Sequence, residues 1–103
     1  MQGVTMHQHY VMFKLKDEYK KDLPEVVKKL KRLQDEIPLI KMSEVFVNEI
    51  HGPHSYDVMF HAVFDDTESF KAYMKHPAHI PVQKYIEERV FIDKIADIDF
   101  VQE

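Results

Sequence analysis

From His7 to Lys16 the side chains alternate: His9, Val11, Phe13 and Leu15 fall on one face while Tyr10, Met12 and Lys14 fall on the other, which predicts a strand with apolar weight on both sides. The period then lengthens. Leu23, Val26, Val27, Leu30, Leu33 and Ile37 form one helical stripe, with Asp22 at the cap position, Glu25 where a capping box places its partner, Pro24 in the first turn and Pro38 as the stop. A second strand is predicted from about Met42 to His51, a turn at His51-Gly52-Pro53-His54, and a third strand from Tyr56 to Asp65. In that third strand Tyr56, Val58, Phe60, Ala62 and Phe64 share one face, and Asp57, Met59, His61 and Val63 the other. Asp66 or Thr67 can cap a second helix whose apolar face, Phe70, Tyr73 and Met74, lasts until Pro77. A further helical piece carries Val82, Tyr85 and Ile86, and from about Val90 to Val101 a last strand sets Ile98 and Phe100 against Asp97, Asp99 and Val101.

The order is βαββαβ, without an internal linker. It predicts one α+β domain over residues 1–103, a four-stranded antiparallel sheet with its helices on one face, the ferredoxin-like arrangement. The other face then displays Tyr10, Met12, Met59 and Val63, which is too apolar to leave in water, so a second copy of the chain is expected to cover it. The expected assembly is a homodimer joined through its sheet faces.

Composition narrows the function classes. The 103 residues are 45% hydrophobic and 12% aromatic, enough for a packed core, and the net charge of -4 supplies no footprint for nucleic acid or anionic lipid. The absence of cysteine removes disulfide and thiolate chemistry. No apolar run reads as a signal peptide or a membrane span, so a cytoplasmic protein is expected.

The chemistry concentrates where the second helix breaks. Pro77 has no N–H, so the carbonyl of Tyr73 loses its helical donor, and Pro81 does the same to the carbonyl of Pro77. His76 and Ile80, each before a proline, are biased away from the helical region, so the chain turns near His76 and restarts near Pro77 or Pro81. His79 then lies at a helix N-terminus, whose partial positive charge disfavours imidazolium and leaves a neutral ring able to accept a proton. Tyr73 offers a hydroxyl on the apolar face, and His9 reaches the same side from the first strand. Together they suit enolisation or an intramolecular aldol step with no cofactor, Tyr73 and His79 being the candidate catalytic pair. His9, Val11, Phe13, Val58, Phe60 and Phe70 are the candidate pocket lining. The competing reading makes Tyr73 a core residue and the histidines caps.

Other clusters carry less. His7 with His9, and His51 with His54, provide no three-ligand metal set, so no metal is expected. Asp97 and Asp99 share one strand face and read as solvent-facing edge residues rather than an acid–base pair. His61 falls on the face assigned to the dimer contact.

Four segments carry a family resemblance: HYVMFKLK from His9 to Lys16, FDDTE from Phe64 to Glu68, HPAH from His76 to His79 behind Tyr73, and IDF from Ile98 to Phe100. Across nearly its whole length the chain resembles the stress-responsive A/B barrel (Dabb) family. The resemblance implies a ferredoxin-like protomer paired sheet to sheet into a dimeric α/β barrel. A characterised plant member closes a linear polyketide by an intramolecular aldol reaction without cofactor or metal; its catalytic tyrosine and histidine fall on Tyr73 and His79, and a strand histidine of its pocket falls on His9. A further pocket histidine of that enzyme falls on Val58, which implies a less polar pocket and a different substrate. Two functions are therefore expected to compete: cofactor-free acid–base chemistry on an oxygenated small molecule, of cyclase or isomerase type, and a non-catalytic, stress-related binding or interaction role. An open cavity with a free Tyr73 hydroxyl belongs to the first, a filled core with a bonded hydroxyl to the second.

Overall fold

A computed structural model describes residues 5–102, so the two ends of the 1–103 span lie outside the described residues. Four strands, β1 (Met6–Phe13), β2 (Ile40–Val47), β3 (Val58–Phe64) and β4 (Ala96–Gln102), form one antiparallel sheet in the order β2-β3-β1-β4. Three α-helices, α1 (Leu23–Glu36), α2 (Thr67–Met74) and α3 (His79–Glu87), are joined by 3-10 turns at Asp17–Asp22 and Ile92–Lys94. The fold is α+β and ferredoxin-like.

Alternation along β1 does what its sequence predicts, since every second residue from His7 to Phe13 is buried. On that inner face Val11, Phe13, Phe60, Ala62 and Phe64 meet Val26, Leu30 and Leu33 of α1, Tyr73 of α2 and Ile86 of α3 in one core. Full burial of a side chain such as Phe60 or Leu33 contributes about 1.5–3 kcal/mol. Strand pairing sets Gln8, Tyr10 and Met12 beside Val63, His61 and Met59 on one side and Phe100, Ile98 and Ala96 on the other. This outer face carries no helix, and Met42, Phe46, Ile98 and Phe100 stand exposed on it.

Three local expectations are corrected. The second strand lies earlier than Met42–His51, because Ile40 turns into the core and the register shifts between Ile40 and Met42. Beyond Asn48 side chains take over the backbone's hydrogen bonds: Asn48 Nδ2 and Ser55 Oγ both donate to the Ile50 carbonyl, and Gly52 N donates to Ser55 Oγ, so the chain loops instead of extending. The last strand begins late, since Val90 makes only a bridge to Leu15 before the Ile92–Lys94 turn intervenes. Asp22 makes no side-chain cap, because the 3-10 turn runs straight into α1 and the Asp22 carboxylate instead accepts from Arg89 Nε at 3.1 Å.

Asp57 ties the loops to the sheet. It is buried, and its Oδ2 accepts from the Leu15 backbone N–H at 2.7 Å, at the point where β1 gives way to the 3-10 turn. Asp57→Ala strands that donor and is expected to lower stability by about 1–3 kcal/mol in urea unfolding, with Asp57→Asn, which keeps an acceptor, losing clearly less.

Candidate functional site

The helix break is built from its own side chains. Asp66 caps α2, its Oδ1 accepting from Ser69 N at 2.7 Å, and these bonds hold its carboxyl below the usual range. At the far end Pro77 supplies no N–H, and the Tyr73 carbonyl instead accepts from His76 N at 3.0 Å in a tightened turn. His76 then starts the next helix: its carbonyl accepts from His79 N and Ile80 N, and its Nδ1 accepts from Ala78 N at 3.0 Å. Pro81 sits in the first turn of α3, where a missing N–H leaves no helical bond unmade.

This turn brings Tyr73 and His79 together, with ring centroids 4.4 Å apart. Both lie inside, at 2% and 8% exposure. His79 Nδ1 donates to the Met74 carbonyl at 3.3 Å, which fixes the proton there and leaves Nε2 as the acceptor of the neutral ring. Burial lowers the His79 pKa, the Met74 carbonyl opposes that, His9 and His76 lower it further, and Glu87 raises it. Burial raises the Tyr73 pKa well above 10, so the phenol stays protonated and acts only as a hydrogen-bonding group. Among the described residues the Tyr73 hydroxyl has no hydrogen-bond partner, yet no fully buried side-chain polar atom is left unpaired. The hydroxyl therefore keeps access to open space.

That space is a cavity of about 230 Å³ between the sheet and the helices. His9, Val11 and Phe13 of β1 and Phe60 of β3 form its floor, Leu30, Leu33 and Ile86 add apolar walls, and Tyr73 and His79 project into it. Gln83, Glu87 and Asp97 add polar lining, beside Met74, Val82 and Ile95. Of the candidate lining, Val58 and Phe70 are elsewhere. Val58 lies at the start of β3 opposite Phe13, sealed in the core, and Phe70 stacks on His7 at 4.5 Å behind His9.

Sequence reasoning missed the partner of His9. Asp99 Oδ1 lies 2.8 Å from both His7 Nε2 and His9 Nδ1, and Thr67 Oγ1 lies 3.3 Å from His7 Nδ1. Both aspartates are exposed on the edge strand β4, as expected, but the register also sets Asp99 directly opposite His9 on the inner side of the sheet, and Asp97 one step along lines the cavity. The Asp99 contact orients the His9 ring at the floor of the cavity. His51 and His54 belong to the exposed β2–β3 loop, and His61 lies on the outer face, stacked on Tyr10 at 4.1 Å with Nε2–H donated to Gln8 Oε1 at 2.7 Å. Among the described residues no group of three or more His, Cys, Asp or Glu is arranged to hold a metal ion, and no helix is long and apolar enough to cross a membrane.

Residues 8–102 match the family model described as the Stress Responsive A/B Barrel Domain, Dabb. The chain belongs to that family. An uncharacterized protein of Streptomyces coelicolor is 34% identical over 77 residues, covering 72% of this chain and 79% of its own length. Among solved structures, a dimeric protein with a ferredoxin-like fold from Bacteroides fragilis is 26% identical with a TM-score of 0.76, covering 92% of this chain and 94% of its own. The hydroxynitrile lyase of Passiflora edulis reaches a TM-score of 0.82 at 15% identity, covering 98% and 96%, a likeness of fold alone.

In this Dabb protein the two histidines with burial-lowered pKa values give stability a pH dependence. Folded His79 and His61 bind protons less readily than the unfolded chain, so the unfolded state takes up protons first as pH falls below 6.5. Stability from both groups is present above pH 6.5 and lost as pH falls through their folded pKa values. The thermal midpoint is expected to drop between pH 7 and pH 5, and to drop less in a His61→Gln/His79→Gln variant.

Proposed function

We propose that this Dabb protein binds an oxygenated small molecule in the inner cavity and carries out cofactor-free acid–base chemistry on it. The observation that carries the reading is the Tyr73 hydroxyl, which lacks a protein partner among the described residues and opens onto a mainly apolar cavity beside His79. A phenol built only for packing would have its hydroxyl bonded, because a buried unpaired polar group costs about 1–3 kcal/mol. The break itself gives Tyr73's side chain no architectural task, since His76 and backbone groups satisfy the turn.

The chemistry follows from the two protonation states. His79 Nε2 takes a proton from the carbon next to a carbonyl; the C–H electron pair moves into the developing enolate, whose oxygen accepts a hydrogen bond from Tyr73. Return of the proton at another carbon gives isomerisation, and attack of the enolate carbon on a second carbonyl gives ring closure, the C=O π electrons moving to that oxygen, which takes the proton back from His79. His9, oriented by Asp99, supplies a second imidazole at the floor.

The same reading takes the outer sheet face as the contact of a homodimer. Met42, Phe46, Ile98 and Phe100 are exposed there, and the 26% identical Bacteroides fragilis protein is dimeric. The Phe46→Glu/Ile98→Glu variant is expected to run as a single chain by light scattering at concentrations where wild type has twice that mass, with unchanged circular dichroism.

Proton abstraction is testable before a substrate is known. A panel of single-ring methyl ketones in D2O, followed by proton NMR, is expected to lose α-hydrogens faster with the protein than without it. Tyr73→Phe and His79→Gln should each slow the catalysed exchange about 10²-fold or more. The wild-type rate should stay level near neutrality and fall as pH drops below 6.5, the ordinary histidine value, because His79 is protonated only at lower pH. Catalysed exchange unaltered by both substitutions would remove the assigned roles.

A further inference from the structure

The cavity has a charge as well as a shape. Among its described lining residues are two carboxylates, Asp97 and Glu87, and no lysine or arginine. Neither carboxylate is neutralised by a cation: Glu87 Oε2 accepts from the neutral Gln83 amide at 3.2 Å, and neither residue forms an ion pair among the described residues. The two histidines add no net positive charge, since His9 is bonded to the Asp99 carboxylate and the pKa of His79 is lowered by burial. At about 230 Å³ the space is also small. A cavity of about 150 Å³ holds benzene, so this one takes a single ring or short chain with few substituents. Any group on such a ligand stays within a few ångströms of half-buried Glu87 and of Asp97 at the exposed side of the cavity, short of the screening length of physiological salt, so a second negative charge is repelled.

We propose that Asp97 and Glu87 are specificity residues that reject carboxylates and other anions, confining the site to small uncharged or cationic carbonyl compounds. The inference rests on the reading of the cavity as a ligand site and deepens it. Their acceptor oxygens also favour ligands that present an N–H or O–H donor at the end remote from the carbonyl held by Tyr73.

The test compares 4-oxopentanoate with 4-oxopentanamide, two ketones of nearly equal size that differ in charge and fit easily in the cavity. Protein-detected NMR titrations at pH 7, with the signals of Tyr73 and His79 reporting occupancy, give a dissociation constant for each. Wild type is expected to bind the amide at least about tenfold tighter than the carboxylate. In Asp97→Asn/Glu87→Gln, whose substitutions keep side-chain shape, the two ketones should bind within about twofold of each other, and each single substitution should narrow the gap in part. Equal binding of both ketones by wild type, or a preference that survives undiminished in Asp97→Asn/Glu87→Gln, overturns the charge assignment while leaving the cavity reading in place. Failure of the amide to move the Tyr73 and His79 signals at all overturns the cavity reading, and this inference with it.

Discussion

A single missing backbone N–H organises the inner side of this protein. Pro77 cannot donate to the Tyr73 carbonyl, so α2 tightens, stops and restarts as α3, and the restart sets His79 under the Met74 carbonyl with its ring 4.4 Å from that of Tyr73. An unbroken helix would carry residues 73 and 79 six positions apart, about 240° around the axis at 3.6 residues per turn, and on different faces. The break converts that separation into a facing pair. It also leaves the space between helices and sheet incompletely filled, so that a cavity forms where a continuous helix would pack side chains into the core.

The sheet beneath is polar where a core is usually apolar. His7 and His9 occupy inner-face positions of β1 and are nearly inaccessible, a placement that is costly unless their ring N–H groups are bonded. Asp99 meets that requirement from β4 with one oxygen serving both rings, while Thr67 approaches His7 from the start of α2. The polar floor thus joins the edge strand, the central strand and the helix that carries Tyr73. Phe70, between these histidines and Tyr73, keeps the cluster dry on its helical side.

Much of this was legible in one dimension. Alternation in β1 and β3 assigns Phe13, Phe60 and Phe64 to the core and Tyr10, Met12 and Met59 to the outer face, because strand periodicity depends only on neighbours in sequence. The break at Pro77 is legible for the same reason. What was hidden depends on tertiary register: the bonds of the edge carboxylate Asp99 to His7 and His9 follow only from the pairing of β1 with β4, and Asp97 and Glu87 join one cavity from elements that the sequence does not bring together. Asp22 shows the converse, a correct cap residue in the cap position whose carboxylate is drawn off by Arg89, 67 residues away. Val58 sits on the predicted face, yet it is sealed in the core beside Phe13, which does line the cavity; face is local information and packing around a side chain is not.

The central claim is that the Tyr73 hydroxyl is held free to donate a hydrogen bond to a ligand carbonyl. It is tested most directly by 13C NMR of acetophenone labelled at the carbonyl carbon, bound to wild type and to Tyr73→Phe, with binding followed independently through the ligand's ring protons. The account predicts a downfield carbonyl shift on binding to wild type that is absent from the bound state of Tyr73→Phe. An identical carbonyl shift in both proteins, with the ligand bound in each, would contradict it.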